Sequence, residues 1–201
     1  MRLKRGWRLS NLARIDAGDP VSALRAVPPA LARRVGRCDI TLLEALEDPS
    51  VGSRWRRSAS VLEIAVAACE VDPHDVALEI LLCLGQAVWE EAPPAEQKAW
   101  LKMLREEIDA GVEGEIDEAA LAEKRAMLAS RTSARSRRRL ERYACASFAA
   151  TLAEYVHSLW HDVTVREGPE HLPAVWLHRR LETLARWFPP GRGYRLFPKT
   201  L

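Results

Sequence analysis

The sequence lacks the motifs by which the common enzyme classes are recognised. It has no G-x-S-x-G, no glycine-rich loop that would cradle a phosphate and no H-E-x-x-H. Its four cysteines lie far apart and form no C-x-x-C pair, which argues against a disulfide framework or a zinc site. Cys69 and Cys83 lie in the most apolar stretch, where a free thiol acts as a small core residue. We therefore predict a non-enzymatic protein with reduced cysteines and no cofactor.

The sequence also lacks a hydrophobic run long enough to span a bilayer. Its basic start, residues 1–18, is not followed by the apolar segment of a secretory signal. Charged residues make up 29% of the 201 residues and hydrophobic residues 48%, as in ordinary soluble domains. We therefore predict a cytoplasmic protein without a membrane partner.

A net charge of +2 conceals an uneven distribution of charge along the chain. Residues 1–62 hold twelve Lys and Arg against six Asp and Glu, whereas residues 63–123 hold three against sixteen. Residues 124–142 return to eight against one. Segments of opposite sign either neutralise one another within the fold or face partners of opposite charge.

The most continuously apolar stretch runs from Ser58 to Trp89 and is interrupted by Asp72-Pro73. A helix that is apolar nearly all round is buried on most sides. We therefore predict a buried helical hairpin over residues 54–90, with Asp72 as the N-cap and Pro73 as the first residue of its second helix.

Helical spacing continues through the rest of the chain. Residues 115–167 contain no glycine or proline and predict two amphipathic helices separated by the polar segment 130–136. In the N-terminal part, Ser10 and Asp39 are predicted to cap short helices. Pro20 and Pro28 are predicted to open two further helical turns, the second ended by Gly36, and Pro173 is predicted to open the last helix. No stretch alternates convincingly as a strand, so the sequence predicts an all-α fold, an irregular multi-helix bundle around the hairpin.

Three regions are predicted along the chain. Residues 1–52 form an N-terminal short-helix region packed on the core, and residues 53–188 form the helical core domain. Residues 189–201 form an irregular tail rich in aromatic and basic side chains.

An arginine-rich segment gives one candidate binding site. Arginine suits phosphate because its planar guanidinium donates two parallel hydrogen bonds. The segment predicts contact with nucleic acid or an acidic partner, although a run of charge more commonly forms a solvated or internally paired face. Its arginines are Arg131, Arg135, Arg137, Arg138, Arg139 and Arg142.

A weaker candidate is a metal site on the second long helix. Glu154, His157 and His161 share one helical face, and His178 on the last helix comes level with them if that helix folds back. A di-iron bundle needs a second E-x-x-H, which the sequence lacks. A histidine near a helix end that interacts with the terminal carbonyls is the simpler interpretation of His161.

The aromatic tail gives a third candidate, a partner-docking segment. Tryptophan, tyrosine and arginine are enriched at protein interfaces, and the chain has seven tryptophans. The docking residues would be Trp187, Tyr194, Leu196 and Phe197.

The function favoured by the sequence is that of a non-enzymatic interaction module, a subunit or adaptor of a larger assembly. It would present an acidic surface from residues 106–123 and a basic one from residues 131–142 to a protein partner or a second copy. A helical nucleic-acid-binding protein is the first alternative, and a metal-dependent helical-bundle enzyme is the second.

Overall fold

The computed structural model describes residues 1, 3, 6–129, 133–161 and 168–196. Within these residues the chain forms four strands and seven helices. In chain order they are β1 (Trp7–Asn11), α1 (Gly18–Ala26), α2 (Pro29–Val35), β2 (Arg37–Leu43), β3 (Ser53–Ser58), β4 (Val61–Ala67), α3 (Pro73–Glu90), α4 (Pro94–Asp109), α5 (Glu118–Leu128), α6 (Ser133–Trp160) and α7 (Ala174–Trp187).

The four strands form one mixed sheet in the order β1-β2-β4-β3. β1 and β4 both pair with β2 in parallel, and β3 joins the edge of β4 in antiparallel register. One face of the sheet is buried beneath the helices. The other face mixes apolar and charged residues and carries cross-strand ion pairs between Arg8 and Asp39, at 2.5 Å, and between Arg56 and Glu63, at 2.6 Å.

The predicted all-α fold is therefore wrong, and so is the helical bundle, because residues 53–67 form the β3–β4 hairpin. Buried and half-buried residues alternate strictly along β4. The alternation is hidden in the sequence because Val61, Ala65 and Ala67 are apolar residues on the half-buried face. A strand that is apolar on both faces cannot be told from a buried helix by periodicity alone.

The short helices predicted to follow Ser10 and Asp39 are also wrong, because both residues lie in strands. Ser10 belongs to β1 and pairs with Thr41 of β2, while Asp39 pairs with Arg8 across the same two strands. The β1–β2 crossover contains α1 and α2, where the proline and glycine punctuation predicted helices. Gly36 ends α2 in a left-handed conformation, with φ of 73°, which glycine adopts without strain.

Helix α3 is the centre of the molecule, packed between the sheet and α6. Asp72 caps it as predicted, because its carboxylate accepts a hydrogen bond of 2.8 Å from the His74 amide. The close crossing with α6 depends on Gly85, where an added Cβ would lie 2.6 Å from the Ala149 Cα. This burial explains why α3 is apolar on most sides. No helix among the described residues is both long enough and apolar enough to cross a membrane.

The cysteine thiols differ sharply in their surroundings. Burial raises the pKa of Cys38 to about 12 and the pKa values of Cys83 and Cys145 to about 11. Cys69 is exposed in the turn between β4 and α3, although the sequence placed it in the core. Since the thiolate is the nucleophile, we expect iodoacetamide at neutral pH to label Cys69 before the other three.

Peptide mass spectrometry of briefly labelled native protein would measure this order. Cys69→Ser is the matched control and should show almost no early labelling. Labelling of Cys38 or Cys83 at a rate comparable to that of Cys69 would contradict the packing described here.

Candidate functional site

A cavity of about 650 Å³ lies where the C-terminal half of α6 meets the first turns of α3 and α5 and the loop before α7. We call it the α3–α6 pocket. Four parts of the chain line it. They contribute His74, Asp75, Leu78 and Leu82; Glu115, Ile116, Asp117 and Glu118; Ala150, Ala153, Glu154 and His157; and His171, Leu172 and Leu177.

The floor of the pocket is apolar. Leu78 and Leu82 project from α3 and are only half-buried, as is Ile116 opposite them. Ala150 and Ala153 of α6 are buried and keep this wall shallow. Half-buried leucines in the middle of a core helix leave apolar surface for a ligand to cover.

The rim of the pocket is acidic. Its described lining contains five carboxylates and no lysine or arginine. Asp75 and Glu118 are exposed and have no ion-pair partner among the described residues. Glu154 is half-buried, with one carboxylate oxygen 3.5 Å from His157 Nδ1.

Asp117 lines the pocket and also caps helix α5. Its carboxylate caps α5 by accepting a hydrogen bond of 2.7 Å from the Ala120 amide. Burial raises its pKa above the ordinary aspartate value, and the nearby Glu115 and Glu79 charges act in the same direction. Asp117 therefore contributes less negative charge at mildly acidic pH than an exposed aspartate would.

The helix dipoles offset part of the negative charge of these carboxylates. The N-termini of α3 and α5 both face the pocket, and each is equivalent to roughly half a positive charge. Asp75 and Glu118 lie in the first turns of these helices, where an acidic residue stabilises the helix. The full charges of Asp75, Glu118 and Glu154 outweigh the two partial charges, so the pocket keeps a negative potential.

Glu115 is the pocket carboxylate whose charge is balanced by buried cations below the pocket floor. Arg180 donates to its two oxygens at 2.8 and 2.9 Å and also pairs with Glu107 at 2.9 Å. Tyr143 donates its hydroxyl to Glu115, and the Lys124 ammonium lies 3.5 Å from the same carboxylate. We call these five residues the buried charge network. All five side chains are fully buried or nearly so.

Burial and the neighbouring charges shift the pKa values of the residues in the buried charge network in opposite directions. Burial acts to raise the pKa of Glu115, but the Arg180 charge and the hydrogen bonds from Arg180 and Tyr143 lower it below the ordinary value. Burial lowers the pKa of Lys124, although Glu115 opposes that shift. The network joins α4, the segment before α5, and helices α5, α6 and α7, and it fixes the base of the pocket.

Three histidines gather beside the pocket mouth. The ring centroids of His74 and His157 lie 4.7 Å apart, and His161 lies 5.1 Å from His74 and 5.3 Å from His157. Asp19 of α1 lies 3.7 Å from His74. The Nε2 atom of His157 is buried without a hydrogen-bond partner among the described residues. These rings join the start of α3 to the end of α6.

The four residues of the predicted metal site do not all come together. Glu154 and His157 of α6 and His161 directly after it are neighbours, whereas His178 lies on an exposed part of α7 and pairs with Glu182 at 3.4 Å. No group of three or more His, Cys, Asp or Glu that could hold a metal ion occurs in the described part of the chain. Metal binding by these residues stays a prediction without geometric support.

The arginine-rich segment is partly paired. Arg137 pairs with Glu141 at 3.2 Å, and Arg142 pairs with Glu123 of α5. Arg138 is exposed and Arg139 half-buried, and neither has a carboxylate partner among the described residues. Arg131 lies outside the described residues, as does the side chain of Arg135. Half of the four described arginines are therefore free to meet an outside anion.

The tail folds back on its own domain. Trp187 lies 6.2 Å, centroid to centroid, from the buried ring of Trp100. Tyr194 and Leu196 are half-buried against the core, and Phe197 lies outside the described residues. Trp187 is the last residue of α7 and is held with that helix, whereas Tyr194 and Leu196 could dock on an outside partner only if the tail left this position.

The sequence pointed to Glu154 and His157 as candidate metal ligands and gave no indication of the pocket that they line. The residues it missed on α3 and in the segment before α5 meet α6 only through tertiary packing. The cap at Asp72 was a usable signal, because it placed His74 and Asp75 in the first turn of α3. The sequence contains no comparable signal for Glu115 or His171.

Comparison of the chain with models of protein families, with curated protein sequences and with solved structures found no match.

Proposed function

We propose that the protein is a binding module whose α3–α6 pocket takes a cationic group carried on an apolar body. The observation that carries this proposal is the composition of the pocket lining, an apolar floor beneath a carboxylate rim without lysine or arginine. The ligand class that fits is an organic amine or guanidinium, free or as a side chain of another protein.

The size and the charge of the pocket support the proposal independently. A volume of about 650 Å³ lies in the range that holds a small organic molecule or a few side chains. An apolar body would cover the half-buried leucines on the floor, and each buried methylene would contribute about 0.8 kcal/mol. A cation placed beside Asp75 and Glu154 would meet carboxylates that no Lys or Arg neutralises among the described residues.

Benzylamine is a suitable first probe because it places an ammonium on one aromatic ring. We expect isothermal titration calorimetry to show saturable binding of benzylamine to the full chain. Benzyl alcohol has the same ring without the charge, and its affinity should be about tenfold lower than that of benzylamine. Benzoate, which carries the opposite charge, should not bind.

Matched variants locate the binding. Asp75→Asn with Glu154→Gln should weaken benzylamine binding about tenfold, since each removes a rim carboxylate worth up to about 1 kcal/mol. Glu182→Gln removes an exposed carboxylate of α7 outside the pocket and should leave the affinity unchanged. Equal affinity for benzylamine and benzyl alcohol, or no binding of either, would overturn the proposal.

The broader predictions from the sequence stay proposals beside this one. A pocket that takes a basic side chain agrees with an interaction module that has a protein partner, and so supports that proposal. A cytoplasmic location and nucleic-acid contact through the arginine-rich segment stay predictions. Nucleic-acid contact is supported by Arg138 and Arg139, which have no carboxylate partner among the described residues.

A further inference from the structure

Helices α5 and α6 form a hairpin whose two ends carry opposite charge. The helices run antiparallel, since only residues 129–132 connect them, and Glu123 and Lys124 of α5 contact Arg142 and Tyr143 of α6. The start of α5 and the C-terminal half of α6 form the acidic α3–α6 pocket. The opposite end carries arginines.

The arginine end also carries an exposed apolar side chain. Leu128, the last residue of α5, is 55% exposed. Arg138 and Arg139 of α6 have no carboxylate partner among the described residues, and Leu140 beside them is only half-buried. We call Leu128, Arg138, Arg139 and Leu140 the basic knob. The exposed Leu128 and the two arginines give this end of the hairpin the cationic and apolar character that the pocket is proposed to take.

The basic knob and the pocket are separated by a fixed length of helix. From Arg138 to Glu154 is 16 residues of the continuous helix α6, which corresponds to about 24 Å at 1.5 Å per residue. A rigid helix of this length keeps the knob of a chain away from the pocket of the same chain. The two complementary surfaces can therefore meet only between two molecules.

We propose that the α3–α6 pocket binds the basic knob of a second copy of this chain. In an antiparallel arrangement of two α6 helices, each knob faces the pocket of the other copy, so the same contact forms twice. A two-fold arrangement of this kind closes as a dimer instead of growing into a filament. The proposal rests on the proposed function, because it uses the preference of the pocket for cations.

A charge-swap experiment on the full chain tests this arrangement. The knob variant is Arg138→Glu with Arg139→Glu, and the pocket variant is Asp75→Lys with Glu118→Lys. We expect sedimentation velocity to show a dimer for the unaltered chain and a monomer for each variant alone. An equimolar mixture of the two variants should form a heterodimer, because both of its contacts again join opposite charges.

Two controls accompany the charge swap. Asp109→Lys with Glu182→Lys reverses two exposed charges outside both surfaces and should leave the dimer intact. High salt should weaken the dimer of the unaltered chain roughly tenfold or more, because exposed charges are screened. Circular dichroism of every variant should match that of the unaltered chain, which shows that loss of the dimer is not loss of the fold.

The experiments distinguish a failure of the proposed dimer from a failure of the proposed cation binding. A monomer at every accessible concentration, or a mixture of variants that does not associate, would overturn the dimer. If the knob variant still binds benzylamine with unchanged affinity, the proposed function survives that failure. A monomeric chain that binds a labelled oligonucleotide through Arg138 and Arg139 would assign the basic knob to nucleic acid and also overturn the dimer.

Discussion

Replacing Arg180 with methionine is expected to lower the free energy of unfolding by about 3–5 kcal/mol. Arg180 is fully buried, and its guanidinium hydrogen-bonds both Glu107 and Glu115. Without it, two buried carboxylates remain with only Lys124 to balance them, and an uncompensated buried charge is strongly destabilising. Urea unfolding followed by circular dichroism would measure the change.

The neighbouring arginine provides a matched control. Arg179 also pairs with a glutamate of α4, Glu106, but its side chain is 45% exposed. Arg179→Met should therefore cost less than about 1 kcal/mol, as exposed ion pairs usually do. Equal losses from Arg179→Met and Arg180→Met would show that the buried charge network does not hold the C-terminal helices together.

The substitution Gly114→Ala is expected to cost about 3 kcal/mol, because its Cβ would meet backbone atoms and not a mobile side chain. The ideal Cβ lies 2.1 Å from the carbonyl oxygen of His171 and 2.4 Å from its carbonyl carbon. The segments around Gly114 and His171 are joined by hydrogen bonds of 3.0 Å from the Glu115 amide to Glu170 and from the Leu172 amide to Glu115. Relief of the clash would separate these segments at the base of the pocket.

The matched control is Gly52→Ala, since an added Cβ at Gly52 meets no atom within 4 Å. This variant should stay within about 0.5 kcal/mol of the unaltered chain. Chemical unfolding compares the two variants, and calorimetry with benzylamine compares their pockets. We expect Gly114→Ala to lose affinity as well as stability. A Gly114→Ala chain that equals Gly52→Ala in both measurements would contradict the close approach of the two segments.

The helices that the sequence predicted well are those with clear punctuation. Asp72 and Pro73 marked the start of α3, Pro173 marked the start of α7, and Gly36 marked the end of α2. These signals are local, because caps and prolines act on the adjacent backbone. The sequence also predicted two separate helices divided by the polar segment 130–136. The two helices are present, but α6 already begins at Ser133, so the last four residues of that segment belong to α6.

The strands were missed for a physical reason that β4 illustrates. Its buried face carries Leu62, Ile64 and Val66, and Glu63 is the single polar residue among a valine and two alanines on its half-buried face, so the polar alternation of an ordinary surface strand is nearly absent. Strand β3 shows the opposite problem. Its arginines stand at the start of the predicted helical hairpin, but Arg57 lies in the strand and donates a hydrogen bond of 3.0 Å to the Val35 carbonyl.

The pocket was only partly predictable because it is assembled by packing. Glu154 and His157 share a helical face, which periodicity reveals, but the sequence suggested them as metal ligands and not as the lining of a pocket. Glu115 enters the pocket through the bridge between residues 115 and 171, a contact 56 residues apart that no local signal encodes. The charge layout along the chain was informative even so, because the acidic stretch supplies much of the pocket rim and the basic stretch supplies the knob.

A nuclear magnetic resonance titration of the ¹⁵N-labelled chain with benzylamine would show whether the α3–α6 pocket takes a cation on an apolar body. We expect saturable shifts concentrated at Leu78, Ile116, Ala150 and Ala153, with little change in β1 and β2. Benzyl alcohol at the same concentrations should give much smaller shifts at the same residues. Shifts scattered over the acidic surface, or equal shifts with benzyl alcohol, would show that the pocket does not select a cation.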